Sequence, residues 1–168
     1  NLNQRNIFNY KAILLGGLNN LGEFLGYEFN EKKIKNIKSD CILISKKNKI
    51  EFKWNEKFPI NSIHLMRGFL VIDDNKKNKF IDLCFDAYWK DNLDISIKKN
   101  IKKILSDCEI DHDYFEKSIK EQVIKNKLKE LTSEAFKLDV FGAPTFLVNN
   151  KLFWGQDRLE YAIDELKN

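Results

Sequence analysis

Only two prolines, Pro59 and Pro144, and seven glycines punctuate the 168 residues, so each proline marks a particular place in the fold. Cysteine is scarce too. Cys41, Cys84 and Cys108 form neither a Cys-x-x-Cys pair nor a metal-ligand spacing, and buried free thiols in a reducing cytosol are the expectation. The two histidines, His64 between Ile63 and Leu65 and His112 between Asp111 and Asp113, have no cysteine or carboxylate at ligand spacing. They read as structural or solvent-facing, and no metal site is expected. A Gly-rich phosphate loop and a nucleophile elbow are both missing. No apolar run approaches the roughly 18 residues of a membrane span and no signal peptide opens the chain, so a cytoplasmic protein without a membrane partner is expected. The only methionine is Met66, which places the expected true N-terminus upstream of Asn1.

What is present is a soluble globular composition, 43% hydrophobic and 32% charged. The length suits one domain with a real core, or a small domain carrying an insertion. The net charge of +4 comes from lysines dispersed among Asp and Glu rather than blocked, so no nucleic-acid patch is expected.

Periodicity then places the elements. Residues 7–15 read as a strand ended by Gly16-Gly17, and 19–30 as a Gly-rich aromatic loop with short helical turns. Ile34, Ile37, Cys41 and Ile44 recur at helical steps, giving a helix over 31–46. After a connection through Phe52, Trp54 and Phe58-Pro59, Asn61 or Ser62 can cap a helix over 62–73. Helices follow over 79–89 and 96–107, and a longer one from Asp111 or Asp113 to about Lys137.

The stretch that organises the chain is Val140 to Val148, VFGAPTFLV, followed by Phe153-Trp154-Gly155-Gln156-Asp157-Arg158. Pro144 lacks an N–H and sits just ahead of a strand, leaving backbone near Ala143 unpaired by its own sheet. With a cis Ala143-Pro144 bond the Ala143 N–H and C=O point outward, and a thiol peptide could bind there as an added strand. Asn149-Asn150 suits a two-residue hairpin turn, returning the chain through 151–153. Leu159, Ala162, Ile163 and Leu166 form one helical face, and Gly155, Gln156 and Asp157 lie at its N-terminal end, where free N–H groups favour a carboxylate.

At these residues the chain resembles the 2-hydroxychromene-2-carboxylate isomerases, relatives of kappa-class glutathione transferases in the DsbA-like thioredoxin superfamily. The X-Pro ahead of a strand is weakly specific; Phe-Trp-Gly-Gln-Asp-Arg at this distance after it is much more so. Phe58-Pro59-Ile60-Asn61-Ser62 with Met66-Arg67, and Ala87-Tyr88-Trp89 with Asp94-Ile95, extend the likeness through the middle of the chain. The resemblance implies an α/β, thioredoxin-like fold with a large inserted α-helical domain: residues 1–18 and 133–168 as an N-terminally incomplete core, and 19–132 as the insertion.

It also implies glutathione as cofactor, held at Ala143 and Pro144 and at Trp154, Gly155, Gln156 and Asp157. Gln156 would donate to the γ-glutamyl carboxylate and Asp157 would pair with the α-ammonium. The implied reaction interconverts 2-hydroxychromene-2-carboxylate and trans-o-hydroxybenzylidenepyruvate, in naphthalene-type degradation, by reversible thiolate addition, or is that of a closely related kappa-like glutathione transferase on a related substrate. A serine after the family's first strand bonds the sulfur, whose thiol pKa is otherwise about 8.5; it is expected upstream of Asn1. Asn19 and Asn20 stand where family members place a lysine that meets the acidic substrate, and Phe58 lines the expected pocket. A homodimer is implied. Two other readings stand beside this one: a DsbA-like thiol-disulfide oxidoreductase, which needs a Cys-x-x-Cys these residues do not supply, and a truncated, non-catalytic glutathione-binding protein.

Overall fold

The computed structural model describes residues 7–22 and 30–167. Among them are eight α-helices and one two-stranded antiparallel sheet. The chain divides into two compact units, Asn1–Tyr27 with Lys125–Asn168, and Glu28–Ile124.

The Glu28–Ile124 unit is built from helices whose ends are marked by side chains. Helix α2 (Glu31–Asn48) starts where the Asn30 side chain accepts from the Lys33 N–H at 2.9 Å. It stops at Lys49, which adopts a left-handed φ of 55° while Ile50 N–H returns to Ser45 C=O at 2.9 Å. Helix α5 (Lys98–Asp107) ends the same way: Glu109 has φ 56° and Ile110 N–H bonds Leu105 C=O. Glycine is the usual residue here, and in so glycine-poor a chain lysine and glutamate take the position.

Helix α3 (Ile63–Phe69) is shorter than periodicity suggests, and Asn61 Oδ1 accepts from the Ile63 N–H. Helix α4 (Asp74–Phe85) begins five residues before the expected Lys79, with Asp74 in its first turn paired to Lys77. It runs on as a wider π turn over Asp86–Lys90, the segment that carries Tyr88 and Trp89. The expected long helix from Asp111 is two. Helix α6 (His112–Ser118) is capped by Asp111, whose carboxylate accepts from Tyr114 N–H, and α7 (Gln122–Lys137) follows. The break comes where Lys120 and Glu121 N–H groups bond three residues back instead of four, tightening the chain after the buried Ile119.

Phe115 is the centre of this unit's core. It is wholly buried, stacks at 6.2 Å on Phe80, and lies so close to Gly68 that an added Cβ would overlap its ring. Asn55, 1% exposed, ties the 49–58 connection to the π turn. Its amide donates to Tyr88 C=O and Leu93 C=O and its oxygen accepts from Lys57 N–H. Around it Phe52, Trp54 and Phe58 meet Trp89 at 5.5–5.9 Å. His64 bonds Ile95 C=O at 3.0 Å and so serves structure. The three thiols are free, and burial pushes each upward, Cys84 to about 12 with Cys108 adding to it.

In the other unit the expected strand over 7–15 does not form among the described residues. Residues 8–14 have no strand partner, and Leu14 N–H is taken by the Thr132 hydroxyl at 3.0 Å, which in turn donates to Leu128 C=O. Gly16 and Gly17, read as the strand's stop, lie instead in helix α1 (Leu15–Leu21). A Cβ on Gly17 would stand 3.0 Å from Thr132 Cγ2, so the glycine allows α1 and α7 to approach. Asn19 and Asn20 are therefore helical rather than looped, while Phe24, Gly26, Tyr27 and Phe29 fall outside the described residues. Leu18, Leu128, Leu131, Val140, Val148 and Ala162 are buried and supply this unit's core.

Candidate functional site

Helix α7 ends at Asp139, φ 61°, with Val140 N–H on Ala135 C=O, and delivers the chain into the Ala143-Pro144 corner. That peptide is cis, as is Phe58-Pro59. Strand β1 (Thr145–Val148) pairs with β2 (Lys151–Trp154), Thr145 opposite Trp154 and Val148 opposite Lys151. Asn149 and Asn150 both have positive φ, as the two-residue turn between them requires.

Fastenings at the two ends hold this hairpin. At the turn, Asn149 donates to Glu165 and Lys151 pairs with the same carboxylate at 2.9 Å, which ties the hairpin to helix α8 (Leu159–Glu165). The Lys151 ammonium and the Asn149 amide hold the Glu165 carboxyl below its usual value. At the corner, the Thr145 hydroxyl donates to Gly142 C=O at 2.7 Å and Gly155 N–H donates to Pro144 C=O at 2.9 Å.

Ala143, between those two bonds, is exposed, and its N–H and C=O have no partner among the described residues. Gly155 has φ +104°, a conformation that favours glycine, and a Cβ there would stand 2.6 Å from Asp157 Oδ1, the mobile end of an exposed side chain. The chain then makes a 3₁₀ turn over Gln156–Arg158 before α8, which leaves the first N–H groups of that run without intrahelical partners. Asp157 pairs with Arg158 at 3.4 Å, and the Arg158 guanidinium lies 5.3 Å over the Tyr161 ring. Thus Ala143, Pro144, Trp154, Gly155, Gln156 and Asp157 come together at one corner.

Asn19 and Asn20 lie on α1 of the same unit, with Asn19 Oδ1 shielded from solvent and unpaired among the described residues. Phe58 belongs to the Glu28–Ile124 unit, in ring contact with Trp54 at 5.1 Å. Two residues at the corner escaped the sequence reading. The Phe141 ring meets Trp154 at 5.0 Å, and a Cβ on Gly142 would overlap the Trp154 indole nitrogen. The Thr145–Trp154 register is the signal that could have found them, because it folds Trp154 back beside the residues ahead of the proline.

A hairpin entered through an X-Pro corner and backed by helix α8, in a unit whose two parts, Asn1–Tyr27 and Lys125–Asn168, are separated in sequence by a helical unit, is in keeping with the thioredoxin-like class. The sequence profile of the DSBA-like thioredoxin domain matches residues 3–167, and the chain belongs to that family. It is similar to the 2-hydroxychromene-2-carboxylate isomerase of Sphingobium xenophagum, 23% identical over 82 residues covering 49% of this chain and 42% of the relative. It is likewise similar to the enzyme of the same name from Pseudomonas sp. (strain C18), 26% identical over 80 residues covering 48% and 38%. The matched stretches thus span about two-fifths of those relatives' length. A solved structure of selenomethionine 2-hydroxychromene-2-carboxylate isomerase superposes with a TM-score of 0.85 over 95% of this chain and 80% of that one, at 21% identity.

Proposed function

We propose that the protein is a glutathione-dependent isomerase of aromatic carboxylates, interconverting 2-hydroxychromene-2-carboxylate and trans-o-hydroxybenzylidenepyruvate or a closely related pair. The observation that carries this reading is the exposed backbone of Ala143, unpaired among the described residues, directly beside the Gly155–Asp157 turn. Similarity to two isomerases of that name supports the reaction class.

The corner's donors and acceptors fit an extended thiol tripeptide. The Ala143 N–H and C=O can pair with its central residue as a further strand would. The Gln156 amide and the free N–H groups of the 3₁₀ turn can receive the γ-glutamyl carboxylate, and the Asp157 carboxylate can pair with the α-ammonium. Bound glutathione supplies a thiolate that adds to and leaves an activated carbon, turning a double bond into a rotatable single bond and back. The chain's part is to hold that peptide in register and meet the substrate. Asn19, with a shielded amide oxygen lacking a partner among the described residues, and its neighbour Asn20 offer polar groups to a hydroxy acid. Disulfide exchange through Cys41, Cys84 or Cys108 is the poorer reading, since burial raises all three thiols and disfavours the thiolate form.

Two measurements on the full chain test this. Glutathione should shift the Ala143, Gln156 and Asp157 backbone amides saturably in heteronuclear NMR, and isomerisation followed by absorbance should need glutathione. Unmoved amides, or a rate indifferent to glutathione, would remove the proposal. The family resemblance also carries a homodimer, which sedimentation should report as a species of twice the chain mass.

A further inference from the structure

The two faces of the hairpin are treated differently. Residues opposite each other in an antiparallel pair share a face, so Phe146, Val148, Lys151 and Phe153 lie on one side and Thr145, Leu147, Leu152 and Trp154 on the other. On the first side Val148 is buried and the Phe8 ring lies tilted against Phe146 at 5.6 Å. On the second, Trp154 is 46% exposed, and the ring tilted against it, Phe141, is 42% exposed. Two large rings are thus held together without being placed in the core.

Three polar groups without partners among the described residues stand at the same place: the Trp154 indole N–H and the Ala143 N–H and C=O. An apolar wall with a few unsatisfied polar groups is what a small-molecule site presents, whereas a surface meant only for packing leaves no such groups. Gly142 makes the arrangement possible. The indole nitrogen occupies the space a side chain at 142 would need, so the ring lies over the backbone just ahead of Ala143. Arg158, half exposed and paired with Asp157, follows in the next turn.

We propose that Phe141 and Trp154 form a two-ring platform that receives the aromatic ring of the carboxylate substrate beside the Ala143 edge, with Gly142 as the positioning residue that keeps the indole there. This assignment rests on the isomerase reading above and adds Phe141 and Gly142 to it. Aromatic rings stacked or tilted on such a platform gain contact and quadrupole attraction without a fixed hydrogen-bond pattern.

The test uses the full chain labelled with 5-fluorotryptophan, whose three tryptophans, Trp54, Trp89 and Trp154, give separate fluorine resonances. Trp154→Phe assigns the third, and 2-naphthoate is the probe. The Trp154 resonance should move saturably while those of Trp54 and Trp89 stay. Phe141→Ala should weaken binding about tenfold, Phe141→Leu less, and Gly142→Ala about as much as Phe141→Ala by displacing the indole. In Phe141→Ala the glutathione-induced shift of the Ala143 amide should persist, which separates the platform from the peptide cradle. The proposal is overturned if Trp154 does not respond, if Phe141→Ala binds as tightly as the parent, or if the Trp154 resonance moves with protein concentration alone because a second copy covers the rings. Should glutathione leave Ala143 untouched while naphthoate still moves Trp154, the isomerase reading falls and the platform remains.

Discussion

The Phe115 core of the helical unit and the Ala143 corner of the hairpin unit both depend on a glycine pressed against an aromatic ring, yet they serve opposite ends. Gly68 meets a Phe115 that is wholly buried, and in the same unit Asn55 uses its amide nitrogen and its oxygen within the protein. Gly142 meets a Trp154 that is nearly half exposed, beside an Ala143 backbone with no partner among the described residues. Satisfied groups hold the fold; groups left open at a rigid corner are what a ligand can use. Substitutions in the first region should therefore cost stability, and substitutions in the second should cost binding.

The largest effect is expected from Phe115→Ala, which empties the centre of the helical core and should lower stability by about 3–5 kcal/mol in chemical denaturation. A loss below about 1 kcal/mol would mean that this core collapses to fill the space. Asn55→Ala comes next. It leaves the buried Tyr88 C=O and the part-buried Leu93 C=O and Lys57 N–H without this partner, and a loss of roughly 1–3 kcal/mol should appear in the denaturation midpoint.

Alkaline pH reaches the same region through Cys84. Its folded-state value is raised from 9.0 to about 12, so the folded protein retains a proton that the unfolded chain releases. The stability this represents is complete below pH 9 and is lost as the pH rises towards 12. At pH 10 the loss is about 1.4 kcal/mol, one pK unit's worth, and Cys84→Ala should flatten that slope. An unchanged slope in the variant would assign the alkaline loss to other groups.

At the corner the expected pattern reverses. Asp157→Ala should change stability by less than about 0.5 kcal/mol, as exposed positions do, while weakening glutathione binding about tenfold in calorimetry. A variant that unfolds more readily yet binds as before would erase the distinction between the two regions. Smallest of all, Lys49→Gly and Glu109→Gly place glycine at left-handed helix ends and should each raise stability by about 0.5 kcal/mol, read from thermal melts.

Much of the corner was legible in the linear chain because its rules are local. A proline cannot join a ladder, paired asparagines accept positive φ, and apolar residues at three- and four-residue steps make a helix whatever surrounds them. Hence the hairpin, its turn, the run into α8 and helix α2 stand where the pattern puts them. The thioredoxin-like class followed from a resemblance concentrated in the same residues, which the DSBA-like profile supports across the chain.

The rest depended on distant partners. Ile7 to Leu15 has strand-like residues, but a strand also needs a neighbour, and Leu14 finds the Thr132 hydroxyl, 118 residues away in sequence. Asn55 reads as a loop residue until Tyr88 and Leu93 supply the carbonyls that bury it. Gly16-Gly17 reads as a stop until the close approach of Thr132 to Gly17 gives the glycine a packing role inside a helix. Sequence by itself determined the elements whose geometry is written in steric limits and short periodicities. Only the tertiary structure decided which side chains were buried, which were satisfied, and which, like Phe141, Trp154 and Ala143, were left facing water, because burial and pairing are properties of neighbours that the chain brings together only when it folds.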